Sequence, residues 1–179
     1  MLKADNAVLV VIDVQGKLAT LMHEREAFYD AVVRMIRGAQ VMDLPILWNE
    51  QIPEKLGLTI DQVKEALQDS EPLVKKHFSC CGNEAFQRKL EETGRKQVLL
   101  VGMETHVCVW QTAQDLLDQG YEVYIVADGV SSRSAANKEV GIRAMMQAGA
   151  RITCVEMALF EMMHVAEGDQ FRQLIKIIK

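Results

Sequence analysis

The chain has little of what marks unfolded, disulfide-stapled or membrane-embedded proteins. Only three prolines occur in 179 residues and no low-complexity run interrupts them, so a folded globular chain is expected, with disorder confined to the ends. The four cysteines, Cys80, Cys81, Cys108 and Cys154, make neither a C-x-x-C pair nor a dense framework. That argues against structural disulfides and a tetrahedral zinc site, and for reduced thiols in a reducing compartment. No apolar run approaches the ~20 residues of a membrane span, and Met1 to Ile12 lacks the basic flank and cleavage site of a signal peptide, so a cytoplasmic protein off the membrane is expected. Basic residues cluster only at Lys75-Lys76-His77, against a net charge of −5, which leaves no footprint for nucleic acid. A G-x-G-x-x-G pattern is also missing, so the Gly129-Val130-Ser131-Ser132 turn gives no support to a nucleotide cofactor.

What is present is an alternation of two patterns. Ala7 to Ile12 is an unbroken aliphatic run ending at Asp13, the signature of a strand buried on both faces of a parallel sheet. Shorter runs recur at Pro45–Trp48, Leu73–Val74, Gln97–Val101, Glu122–Val126 and Arg151–Val155. Between and after them, Glu26–Met42, Asn83–Glu92, His106–Gln119, Lys138–Gln147 and Asp169–Ile178 carry apolar residues at helical spacing. Gly94, Gly120 and Gly149 stand where a left-handed residue would end three of these helices. Asn49 to Thr59 reads as the one long irregular stretch. At 179 residues the chain suits one domain, 1–179, folded as a three-layer α/β/α sandwich around a six-stranded, mostly parallel sheet.

Ligands of such sheets bind beyond the carboxyl ends of the strands, so the residues closing each run carry the most weight. They are Asp13, Asn49-Glu50-Gln51, Lys75-Lys76, Gly102 to Cys108 and Asp128. Asp13 alone is as readily a helix cap or structural ion pair as a catalytic acid. A lone Cys108 is more often a core residue, but in the first turn of the helix after the fourth strand its thiolate would be stabilised by the helix N-terminus. Lys75 closes the third run, and its bland counterpart is a solvated strand-end lysine. Three strand ends delivering a carboxylate, an ammonium and a thiol to one edge form a constellation for nucleophilic catalysis, and jointly they outweigh their separate bland readings.

The segments Val10–Gln15, Glu50-Gln51 with Pro53 and Leu56-Gly57, Lys75 through Phe78-Ser79, Gly102–Val109 with Gln111-Thr112-Ala113, and Ala127–Arg133 resemble the isochorismatase-like cysteine hydrolase superfamily, in order over nearly the whole chain. The likeness is greatest to compact isochorismatase-domain proteins of unassigned substrate, which share a tail similar to Phe171–Lys179. The resemblance implies strand order 3-2-1-4-5-6 and a catalytic triad of Asp13, Lys75 and Cys108, the lysine standing four residues before Ser79, with Lys76 as its rival. It further implies a cis Met103–Glu104 peptide, an oxyanion hole made by the backbone N–H groups of Glu104 and Cys108, and a homo-oligomer.

Nicotinamidases of the superfamily carry an Asp/His metal cluster after the second strand. Asn49-Glu50-Gln51-Ile52 offers no imidazole there, so neither a metal nor a cofactor is expected. Isochorismatases proper cleave a vinyl ether without a nucleophilic thiol, so Cys108 favours acyl chemistry on a small amide or related carbonyl substrate through a thioester. Gln15, Trp48, Gln51, Phe78, His106 and Trp110 are candidate lining residues. Two other classes compete: an idle scaffold or binding protein that retains the fold, and a redox protein that oxidises a low-pKa Cys108, resolved by Cys80 or Cys81.

Overall fold

The computed structural model describes residues 1–67 and 70–179. Its strands are β1 (Ala7–Ile12), β2 (Ile46–Gln51), β3 (Leu73–Lys75), β4 (Gln97–Met103), β5 (Glu122–Ser131) and β6 (Arg151–Thr153). Its α-helices are α1 (Gly16–Ala19), α2 (Arg25–Val41), α3 (Pro53–Leu56), α4 (Asp61–Ala66), α5 (Glu84–Glu92), α6 (Trp110–Asp118), α7 (Ala135–Gln147), α8 (Val155–Met163) and α9 (Gly168–Ile178). The strands form one sheet in the order 3-2-1-4-5-6, and every adjacent pair is parallel.

The aliphatic runs of β1 and β4 take the two central places, where every residue is buried. Alternation along β1 divides the core into two layers. Leu9 and Val11 pack with Phe28, Val32 and Ile36 of α2 and Leu159 of α8, whereas Val8, Val10 and Ile12 pack with Phe86 of α5, Leu116 of α6 and Met145 of α7. The chain returns from the β3 edge through α5 to β4, on the other side of β1. Strand order therefore reverses between β1 and β4, and the crevice of an open α/β sheet lies at their carboxyl ends. Gly94, Gly120 and Gly149 do take positive φ, at 64°, 80° and 109°.

Several boundaries differ from the sequence reading. The stretch from Asn49 to Thr59 is not irregular: β2 continues through Gln51 and α3 follows directly. Its polar end is tolerated because the buried Glu50 Oε1 accepts both the N–H and the hydroxyl of Thr59, each at 2.7 Å. The segment after Val126 is not a turn. A register shift opposite Leu100 and Gly102 lets β5 run on to Ser131. Asp128 consequently faces away from the crevice edge, and its carboxylate accepts the N–H of Val155 at the start of α8. Helix α8 itself was hidden by a nearly uniform apolar sequence that a period cannot resolve.

Candidate active site

Four segments meet at the β1/β4 crevice. Asp13 ends β1 with φ of 53°, a left-handed turn that aspartate accepts more easily than most residues. Its N–H still donates to Asn49 O at 3.1 Å. The turn leaves Asp13 5% exposed at the strand mouth. Lys75, the last residue of β3, reaches it from two strands away, and the Nζ–Oδ2 distance is 2.7 Å. The same ammonium donates to Gln51 Oε1 at 2.7 Å, Phe78 O at 2.9 Å and His77 O at 3.1 Å. Four acceptors crowd a group with three N–H donors, so none of its donors is left without a partner in the interior. Lys76, the rival, is exposed.

Cys108 sits one strand over, in a π-helical turn, Thr105–Val109, that precedes α6. The N–H groups of Val107 and Val109 both donate to Glu104 O, so α6 begins at Trp110, four residues later than the sequence suggested, and the thiol does not cap it. Its environment is correspondingly not thiolate-stabilising. Burial, followed by the negative charge of Asp13, pushes the Cys108 thiol up to about 12, against smaller help from Lys75 and from the backbone N–H of Glu104. The low-pKa thiolate expected at a helix N-terminus is thereby corrected to a neutral resting thiol. Burial also raises Asp13 to about 6, although Lys75 and the Cys108 thiol both pull it down. Asp13 Oδ1 is buried with no partner in hydrogen-bonding geometry. The Cys108 thiol, near the carboxylate, donates to Gln51 Oε1 at 3.8 Å.

The Met103–Glu104 peptide is cis. The Glu104 carboxylate is 7% exposed and paired with Arg133, Nε to Oε1 at 2.6 Å and Nη2 to Oε2 at 3.4 Å. These groups frame a cavity of about 130 Å³ walled by Asp13, Gln15, Gln51, Phe78, Glu104 and Cys108, with Leu18, Leu56, Met103 and Val107 completing it. Gln15 braces the wall: its Nε2 donates to Gln51 O and Gly57 O, and its Oε1 accepts the Gln51 N–H at 2.7 Å.

The structure thus brings Asp13, Lys75, Cys108, Glu104, Gln15, Gln51 and Phe78 together and leaves three candidate lining residues outside. Trp48 lies on the opposite face of β2 from Gln51, as period-two alternation requires, and its Nε1 donates to Thr59 Oγ1 at 2.9 Å beside a separate cavity. His106 faces Ser132, Nδ1 to Oγ 3.0 Å, and lies 3.7 Å from Glu104. Trp110 is half-buried against the α5–α7 layer of the core. The wall residues Leu18 and Leu56 were missed because they sit on one-turn helices whose apolar residues show no period. Asn49 donates to Val11 O and Leu47 O, and Glu50 is engaged by Thr59. Among the described residues no three His, Cys, Asp or Glu side chains gather as metal ligands, and no helix is long and apolar enough to cross a membrane.

With the geometry in place, comparison with known proteins identifies the family. The isochorismatase domain model matches residues 7–157. The chain is 35% identical to a secreted isochorismatase effector, Isc1, of Phytophthora sojae, over 97% of this chain and 85% of that protein. It is 34% identical to mouse isochorismatase domain-containing protein 2A, over 98% and 84%. Among solved structures, a Caenorhabditis elegans protein described as MAR1 ribonuclease superposes with a TM-score of 0.92 at 33% identity, covering 99% of this chain and 91% of that one. The Escherichia coli YcaC gene product, described as an octameric hydrolase of unknown specificity, superposes with a TM-score of 0.93 at 22% identity over 99% and 88%. A match over most of the chain, joined to a sheet of order 3-2-1-4-5-6, makes this chain a member of the isochorismatase family.

Proposed function

We propose that the chain is a cysteine hydrolase of small amides or related carbonyl compounds, working through a thioester on Cys108. The observation that carries it is the buried Asp13–Lys75 pair, 2.7 Å apart, set beside the Cys108 thiol at one cavity. A thiol held neutral cannot attack unaided, but a neighbouring carboxylate that titrates at about 6 is ionised at neutral pH and can take the proton as the sulfur attacks. In the proposed sequence the Sγ–H proton moves to Asp13, a C–S bond forms, and the carbonyl oxygen gains the charge. The backbone N–H of Glu104, a residue of the same cavity wall, serves as an oxyanion donor, with the Cys108 N–H as the second. Collapse breaks the C–N bond as Asp13 returns the proton to the leaving amine. Water then loses a proton to Asp13 as it attacks the thioester carbon, the C–S bond breaks to release the acid, and Asp13 returns the proton to the Cys108 sulfur. Lys75 does not touch the substrate; it keeps Asp13 ionised in the interior.

The rivals are less well supported. A redox role calls for an accessible low-pKa thiol, whereas Cys108 is raised and Cys80, its candidate resolving partner, is fully buried and raised as well. The ribonuclease activity for which the nematode relative is named finds no counterpart here, since among the described residues no lysine or arginine lines the cavity to hold a phosphate. We also propose a homo-oligomer, as in the octameric relative; sedimentation as a monomer would remove that part. The central test is intact-mass analysis after rapid quenching with a panel of small amides. An acyl adduct on Cys108 that accumulates and decays is expected, and unchanged turnover by Cys108→Ala would end the proposal.

A further inference from the structure

Resting on the hydrolase reading, we infer that the substrate is electrically neutral and small: a primary amide on a short aliphatic group, carrying no carboxylate or phosphate. The inference comes from how the polar atoms of the wall are already used. Gln15 spends both its amide nitrogen and its oxygen on Gln51 and Gly57. Gln51 gives its oxygen to Lys75 and its nitrogen to Lys76 O. Two carboxylates, Asp13 and Glu104, line the cavity, and each already has its cation, Lys75 and Arg133, neither of which lines it. Lys17 and Lys55 share the short helices α1 and α3 with Leu18 and Leu56 but are exposed and outside the wall. An anionic ligand would therefore face two carboxylates without a free cation.

Two groups of the wall are of opposite kind. Asp13 Oδ1 is a buried acceptor without a hydrogen-bond partner, and Glu104, which lines the cavity beside Cys108, brings a backbone N–H donor. A primary amide presents an N–H₂ to the first and a carbonyl oxygen to the second. The remainder of the wall, Leu18, Leu56, Phe78, Met103 and Val107, is apolar and offers nothing to a polar tail. At about 130 Å³ the cavity holds a body of roughly five or six non-hydrogen atoms, since one of comparable size accommodates benzene. Isobutyramide is a probe of that size and character.

The test compares charge at constant size. Alkylation of Cys108 by iodoacetamide and by iodoacetate, in which the sulfur displaces iodide, is followed by mass spectrometry of the Cys108 peptide. Rates are normalised to the same cysteine in the urea-unfolded chain. The folded protein is expected to prefer the neutral reagent by at least about tenfold more than the unfolded chain does, and Leu56→Lys, at a half-exposed wall position, should shrink that preference several-fold. Equal preference in folded and unfolded chains, or no response to Leu56→Lys, overturns the inference. A measurement that needs no reactive thiol runs in parallel: isobutyramide should raise the melting temperature of Cys108→Ala and isobutyrate should not, and the reverse order overturns the inference. Neither readout requires hydrolysis, so selectivity without turnover of any amide counts against the hydrolase reading alone.

Discussion

Replacing Lys75 by methionine keeps the length of the side chain and removes the ammonium, leaving Asp13, Gln51 Oε1 and two backbone carbonyls without their donor. How much this costs depends on pH, because Asp13 can escape by protonation. In the native protein Asp13 titrates at about 6, already raised by burial. Without Lys75, which lowers it, the carboxyl holds its proton to higher pH still. At about pH 5 Asp13 is mostly protonated in both proteins, so only hydrogen bonds and packing are lost, roughly 1–2 kcal/mol. At about pH 8 the native carboxylate is ionised and the variant's is not. Each pH unit between the two titrations adds ~1.4 kcal/mol, and about two units add ~3 kcal/mol. The sum matches the ~3–5 kcal/mol typical of breaking a buried pair. Urea unfolding at the two pH values measures the difference, and Asp13→Asn in the Lys75→Met background should remove the pH dependence. Equal losses at both pH values would show that Lys75 is not the charge that keeps Asp13 ionised.

Cys108→Ala should abolish amide turnover, by at least about 10³-fold, while shifting the melting temperature little, because the thiol fills a small site at the cavity edge; a stable but fully active variant refutes the nucleophile. The kcat/KM for a neutral amide should rise with pH through about 6, as Asp13 loses the proton it must be free to accept, and Asp13→Asn should lose that limb along with the rate. Gly102→Ala should cost more than ~3 kcal/mol or prevent folding, since φ is +128° and the added Cβ would lie 2.1 Å from Ile12 O in the central strand pair; a normal melting curve would contradict the tight β1–β4 packing. Arg133→Ala should lose about 1 kcal/mol, modest because the arginine is half-exposed, and should lower kcat more than it raises KM by loosening Glu104; a change in KM alone would place Arg133 in binding rather than in positioning.

The parts of this molecule that its sequence reveals are those where one residue type has one physical solution. The unbroken run of β1 has no place but the middle of a parallel sheet, and Asp13, Lys75 and Cys108 stand out because charge and thiol at apolar strand ends demand partners. The protonation state of Cys108 was not legible. It is set by burial and by the charge of Asp13, which only the folded packing supplies, and Gly102–Val109 carries no local signal for the π-helical turn that places the thiol there. Trp48 and Gln51 illustrate a second limit. They are three residues apart, and only the strand phase, once β2 was seen to run through Gln51, puts one at the cavity and the other behind the sheet. The extension of β5 through a register shift, which carries Asp128 to the foot of α8, likewise depends on pairing across the sheet.

The two short helices that supply Leu18 and Leu56 meet through their glycines. A Cβ on Gly16 would fall 2.0 Å from Leu56 O, and one on Gly57 would fall 3.2 Å from the Gly16 Cα. The span of the mouth is therefore fixed by main chain against main chain. Exchanging Leu18 or Leu56 can roughen, charge or shorten the lining, but the frame holding those side chains neither widens nor narrows with them. Wider substrates become accessible through a change in loop length between β2 and α4, so among relatives of this chain the length of that loop, more than the identity of its apolar residues, should track the size of the molecule each one accepts.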